Sequence, residues 1–148
     1  MRKVQLFCVG RLKEKFYADA CAEYQKRLSR YCSLEVTEFP ETGDVEKDGA
    51  LLLSRLPAGA YVIALCIEGR SFSSEELAAL FAHSADTGRS HLVFLIGGSD
   101  GLSPAVKERS DLRLSMSRMT FPHHLARVMV LEQVYRAFTI CEGGKYHK

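Results

Sequence analysis

The chain has 148 residues, 47% of them hydrophobic, and a net charge of only +2. That length suits one compact domain, residues 1–148, whose core needs no disulfide or metal staple. No apolar run approaches the ~18 residues of a membrane helix, and the opening MRKVQLFCVGRLKEKF lacks the long apolar stretch and small-residue cleavage site of a signal peptide.

Val4–Gly10 reads as a buried strand that ends at its glycine. Lys13–Tyr31 is predicted helical, with Tyr17, Cys21, Tyr24, Leu28 and Tyr31 on one face. Leu34–Phe39 alternates as a half-exposed strand does. Pro40–Asp44 is a loop, and Val45–Leu56 a short helix that stops before Pro57. Tyr61–Ile67 is continuously apolar, the pattern of a parallel strand covered on both faces, and Glu68–Ser73 follows as a loop. Ser74 opens a helix with Glu75 and Glu76 in its first turn, where the macrodipole favours acids, and Thr87-Gly88 closes it. His91–Ile96 is another buried strand. Ser103 as N-cap and Pro104 at the first helical position start a helix to about Arg109. Leu112–Ser115 is a short strand, Ser117–Pro122 a loop and His123–Cys141 a long helix, with GGKYHK as a glycine-hinged tail. Strands alternating with helices predict an α/β fold with a mostly parallel sheet flanked by helices.

Five cysteines, an odd number without C-x-x-C spacing, read as reduced, buried thiols of a cytoplasmic protein. The five histidines show no zinc-ligand spacing, so no metal is expected. Charge is uneven. Residues 1–30 hold eight Lys/Arg against three Asp/Glu, residues 31–102 four against eleven, and residues 103–148 eight against four. Two basic ends around an acidic middle permit a nucleic-acid surface, and equally an ordinary solvated exterior.

Two stretches carry chemistry. In LIGGSDGLSP a buried strand runs into paired glycines. The spacing is neither G-x-G-x-x-G nor G-x-x-x-x-G-K-[ST], so both phosphate-binding patterns fail. A tight structural turn and a close approach to a ligand both remain open. In SRMTFPHH, Met119, Phe121 and Pro122 stand beside backbone groups that a loop cannot pair with itself, a combination suited to an adenine ring or to a buried connection. The helix that follows is apolar on more than one side, which predicts a subunit interface.

The stretch LIGGSDGLSP, taken with LSMSRMTFPHHLARVMVLEQVYRAFTICEGGKYH, resembles the SPOUT-class RNA methyltransferases. More narrowly it resembles the family of ribosomal RNA large subunit methyltransferase H. The resemblance runs from Val4 to the last residue and is most specific in the second half. It implies a SPOUT fold with a C-terminal deep trefoil knot, a homodimer, and S-adenosylmethionine as methyl donor. The implied reaction methylates N3 of a pseudouridine in 23S ribosomal RNA. The cofactor is implied at Leu65, Gly98, Ser117, Arg118, Met119, Thr120, Phe121 and Pro122. Family members often carry Pro-Glu where this chain has Ser99-Asp100, which keeps an acid but loses a rigid proline. Candidate catalytic residues are His147, Tyr146 and Arg136. An imidazole suits proton transfer near neutrality, whereas Arg136 can equally pair with Glu132 one turn away. A ribosome-associated RNA-binding domain without activity and a nucleotide-binding α/β regulator are the rival readings. The first gives the glycine turn and the TFP loop no task, and a titration with S-adenosylmethionine separates the three.

Overall fold

The computed structural model describes residues 1–148. It contains β1 (Arg2–Val9), α1 (Lys15–Leu28), β2 (Cys32–Phe39), α2 (Val45–Ser54), β3 (Tyr61–Ser71), α3 (Ser74–Asp86), β4 (Leu92–Ile96), α4 (Pro104–Arg109), β5 (Leu112–Ser115) and α5 (His123–Cys141). The five strands form one sheet in the order β2-β1-β4-β3-β5, and every pairing is parallel.

Side-chain alternation along the central strands splits the core in two. Val4, Leu6 and Cys8 of β1 with Leu92, Phe94 and Ile96 of β4 face α1, α3 and α5, where Phe81, Leu131 and Val134 are fully buried. Phe7 and Val9 with Val93 and Leu95 face α2 and α4, packing on Leu52 and Val106. Truncating a buried leucine such as Leu131 to alanine removes about 2–5 kcal/mol in such a setting.

The expected alternation of strands and helices is present, and Ser103 and Pro104 start α4 as read, the Ser103 hydroxyl accepting from Val106 N–H at 3.3 Å. Three local expectations change. First, β3 continues to Ser71 rather than ending at Ile67. Leu114 of β5 pairs with both Leu65 and Arg70, so Cys66–Gly69 bulges out between the two contacts. The polar EGRS run carries no alternation, and only pairing with β5 keeps it in the sheet. Second, α5 spends much of its apolar breadth within its own chain, since no residue from His123 to Ile140 is fully exposed and α1, α3 and the sheet all pack on it.

Third, the tail is not hinged at its glycines. Gly143 adopts φ +70°, its N–H donates to Ile140 C=O at 3.0 Å, and Gly144 N–H donates to Thr139 C=O at 2.8 Å. That is a Schellman cap closing α5. Of the cysteines, Cys8, Cys21 and Cys32 are buried, Cys66 is half-buried and Cys141 is exposed; all are free thiols. No three His, Cys, Asp or Glu side chains converge as metal ligands, and no helix is long and apolar enough to cross a membrane.

Candidate active site

At the C-terminal ends of β4 and β5 and the bulge within β3, three segments form a cleft of about 660 Å³, within the range of small-ligand sites. Ligands of open α/β sheets bind outside the carboxyl ends of the strands. One wall is Leu65 and the Cys66–Glu68 bulge. The second is the turn from Ile96 to Leu102. The third is Met116 to Pro122 with His123 and Ala126 of α5. Of the eight residues expected around the cofactor, seven line this cleft: Leu65, Gly98, Ser117, Met119, Thr120, Phe121 and Pro122. Arg118 does not. It sits exposed on the outer side of the loop, because Ser117 turns the chain there, its hydroxyl accepting from Met119 N–H at 3.0 Å.

Of the two readings left open for the paired glycines, the geometry gives the tight turn. A β-carbon on Gly97 would stand 2.5 Å from the carbonyl carbon of Gly101, so the turn closes on itself. A β-carbon on Gly98 would run into the Glu41 carboxylate, not into the cleft. Glu41 accepts from Ser99 N–H at 2.8 Å and from Ser99 Oγ at 2.7 Å. These two bonds hold the Glu41 carboxyl below its ordinary range. Serine at 99 therefore ties the turn to the β2–α2 loop, a bond that a proline, having no N–H, could not donate.

The start of α5 is anchored from below. Arg127 is buried, with Nη1 2.7 Å from Glu38 and Nη2 donating to Gly10 C=O at 3.2 Å. Burial pushes the Glu38 carboxyl up, but bonds from Leu12 N–H and Arg127 outweigh it, leaving the group below its usual range. Pro122 precedes the helix and no side chain caps it, so the first N–H groups of α5 stay available beside the cleft.

Sequence reasoning missed Cys66, Ile67, Glu68 and Lys107, which line the same cleft. The sequence signal was Gly69: a β-carbon there would stand 2.7 Å from the Arg113 backbone, which marks the close crossing of β3 and β5. Burial pushes the Cys66 thiol up, so it stays protonated.

The three candidate catalytic residues come together, away from this cleft. Arg136 donates to Glu132 at 2.5 Å and to His147 Nδ1 at 3.0 Å, and its guanidinium lies 4.7 Å from the Tyr146 ring centroid. His147 Nε2 lies 2.5 Å from Glu75. With Nδ1 accepting from Arg136, the imidazole proton sits on Nε2. Tyr146 Oη donates to Glu132 at 2.7 Å. Burial, then this bond to a carboxylate, raise the Tyr146 phenol to about 12. From Ala126 in the cleft wall to Arg136 is ten residues of helix, about 15 Å.

A parallel α/β sheet with a small-ligand-sized cleft beside its strand ends, and neither the Rossmann glycine spacing nor a P-loop lysine motif, defines a class, the α/β proteins with a candidate ligand site outside those two patterns. The comparisons narrow it. The family model described as "Predicted SPOUT methyltransferase" matches residues 2–147, and this chain belongs to the SPOUT methyltransferase family. A protein of Listeria monocytogenes serovar 1/2a named ribosomal RNA large subunit methyltransferase H is 46% identical over 157 aligned positions, covering 98% of this chain and 99% of that one. A protein of the same name from Bifidobacterium adolescentis is 45% identical, covering 99% of each. Among solved structures, a probable methyltransferase from Bordetella pertussis Tohama I aligns with a TM-score of 0.56 at 12% identity, covering 93% of this chain and 96% of that one. A probable methylase family protein from Haemophilus influenzae reaches 0.59 at 12% identity, covering 98% and 70%. At that identity the two structures support the fold alone.

Proposed function

We propose that this chain transfers the methyl group of S-adenosylmethionine to N3 of a pseudouridine in 23S ribosomal RNA, acting as a homodimer in the cytoplasm. The observation that carries the reading is the cleft itself. Its walls are mostly apolar side chains and backbone from the β3 bulge and the loops after β4 and β5, and no lysine-bearing glycine loop is present to hold phosphates. That lining fits a nucleoside whose ribose carries a sulfonium rather than phosphates. Leu65, Gly98, Met119 and Phe121 would hold the adenosine. When bound, the cofactor supplies an activated methyl on a sulfonium. The protein's part is to align the acceptor nitrogen with that methyl and exclude water.

N3–H of pseudouridine lies between two carbonyls, so a weak base suffices to remove its proton. Tyr146, held as a phenol by Glu132, is not that base. His147 can accept a proton only when Nδ1 leaves Arg136, so the docked tail is a resting arrangement. Arg136 then remains to orient the tail and meet the RNA. Since these residues stand about 15 Å along α5 from their own cleft, an antiparallel pairing of two α5 helices brings one chain's tail to the other chain's site. The half-buried Leu125, Val128 and Met129 offer the apolar surface for that pairing. The trefoil threading belongs to the same reading: β5 lies at the sheet edge beyond β3, yet α5 returns beneath β4 to pack between α1 and α3. The exposed Arg11, Lys13 and Lys15 beside the exposed Phe16 ring give RNA a charged and stacking approach at the same edge of the sheet.

The test is methyl transfer from labelled S-adenosylmethionine to large subunits or ribosomes lacking the modification, with the methyl located by mass spectrometry of 23S fragments. Transfer to a pseudouridine, by a species sedimenting at about twice 16.6 kDa, is the expected result. Tight cofactor binding without transfer to any ribosomal RNA would overturn it.

A further inference from the structure

The cleft is apolar over most of its wall, and among its lining residues only two carry a fixed charge, Glu68 and Lys107. They are of opposite sign and in contact. Lys107 Nζ donates to Glu68 Oε1 at 2.6 Å, joining α4 to the Cys66–Gly69 bulge of β3. The bond to Lys107 holds the Glu68 carboxyl below its ordinary range. Their side chains are 26% and 59% exposed, which places the pair at the rim of the cleft. An exposed ion pair of this kind is worth little to folding, so stability does not account for two charges at the edge of an otherwise apolar wall.

The methyl donor has a matching chemistry. Its nucleoside is uncharged, and its other end is an α-amino acid with one carboxylate and one ammonium. We propose that Glu68 and Lys107 form the subsite for that end, Lys107 taking the carboxylate and Glu68 the ammonium. This rests on the cofactor reading given above. Before binding, the two side chains satisfy each other, and an arriving zwitterion inserts between them so that no charge is left unpaired.

The test uses calorimetry with two probes, S-adenosylmethionine and 5′-methylthioadenosine, which keeps the nucleoside, has an uncharged thioether in place of the sulfonium and lacks the amino acid. Glu68→Gln and Lys107→Met should each weaken S-adenosylmethionine binding by about tenfold, the size of one charged hydrogen bond. Their affinity for 5′-methylthioadenosine should match wild type, and Lys107→Arg should retain most of the affinity for both. Unchanged S-adenosylmethionine binding in both variants overturns the proposal. So does an equal loss for both probes, which would mean that the pair only pins the bulge in place. A folded wild-type protein that binds neither probe would instead overturn the cofactor reading on which the subsite rests.

Discussion

The turn at Gly97–Gly101 and the tail at Gly143–Lys148 look alike as sequence: paired glycines followed by polar residues. In the fold they differ. Gly97 is excluded from bearing a side chain by the backbone of Gly101, and Ser99 is tied to Glu41, so the turn is a rigid wall. Gly143 supplies a positive φ that caps α5, after which Tyr146 and His147 dock through exchangeable side-chain bonds to Glu132, Arg136 and Glu75. One pair of glycines builds a fixed site. The other ends a helix so that a short segment can fasten back onto it. Glycine content alone therefore says little about mobility; the partners of the next few residues decide it.

The largest effect expected from breaking this contrast is at the tail. Deleting Lys145–Lys148 should reduce methyl transfer to ribosomes by more than about 100-fold, since base stacking and phosphate contacts are lost together. S-adenosylmethionine affinity by calorimetry should stay within about twofold. A truncated protein that methylates at the full-length rate would return the tail to a purely structural role.

At the turn the effect should fall on binding and folding together. Gly97→Val forces the turn open, because no backbone atom of Gly101 can move aside cheaply, and should cost about 2–4 kcal/mol. Thermal unfolding would show a drop of roughly 8 °C or more for a chain of this size, with cofactor binding lost. An unchanged melting temperature would mean that the turn does not close on itself.

The smallest effect is a pH signature of the docked tail. Tyr146 is raised to about 12, against about 10 for an unfolded tyrosine. A folded value above the unfolded one contributes stability that is complete below pH 10 and lost as the pH rises toward 12. Wild type should therefore lose stability relative to Tyr146→Phe across that window, as read by denaturant midpoints at each pH. Parallel curves would show the phenol undocked in solution.

Much of the fold was legible because burial leaves a periodic trace. The runs VQLFCV, YVIAL and LVFLI announced three inner strands, and the Ser103-Pro104 and His123–Cys141 boundaries came from capping chemistry and length. The site was legible where one continuous segment carried it, as in Ser117–Pro122. Glu68 and Lys107 were not legible. They are 39 residues apart, lie in stretches that read as a polar loop and a short surface helix, and meet only because β3 bulges against β5. Arg118 lies outside the cleft lining for the converse reason, since adjacency in a motif does not say which side of a loop a residue faces.

By itself the sequence determined the order of strands and helices, the apolar faces they would bury and the two loop stretches, LIGGSDGLSP and SRMTFPHH, able to approach a ligand. Each of these is set by neighbours along the chain, through periodicity, caps and turn residues. The tertiary structure alone decided that the glycine turn closes on its own backbone and on Glu41, that β3 bulges between its two contacts with Leu114, and that the tail fastens onto α5. Those outcomes depend on pairings between distant segments, and such pairings leave no local pattern to read.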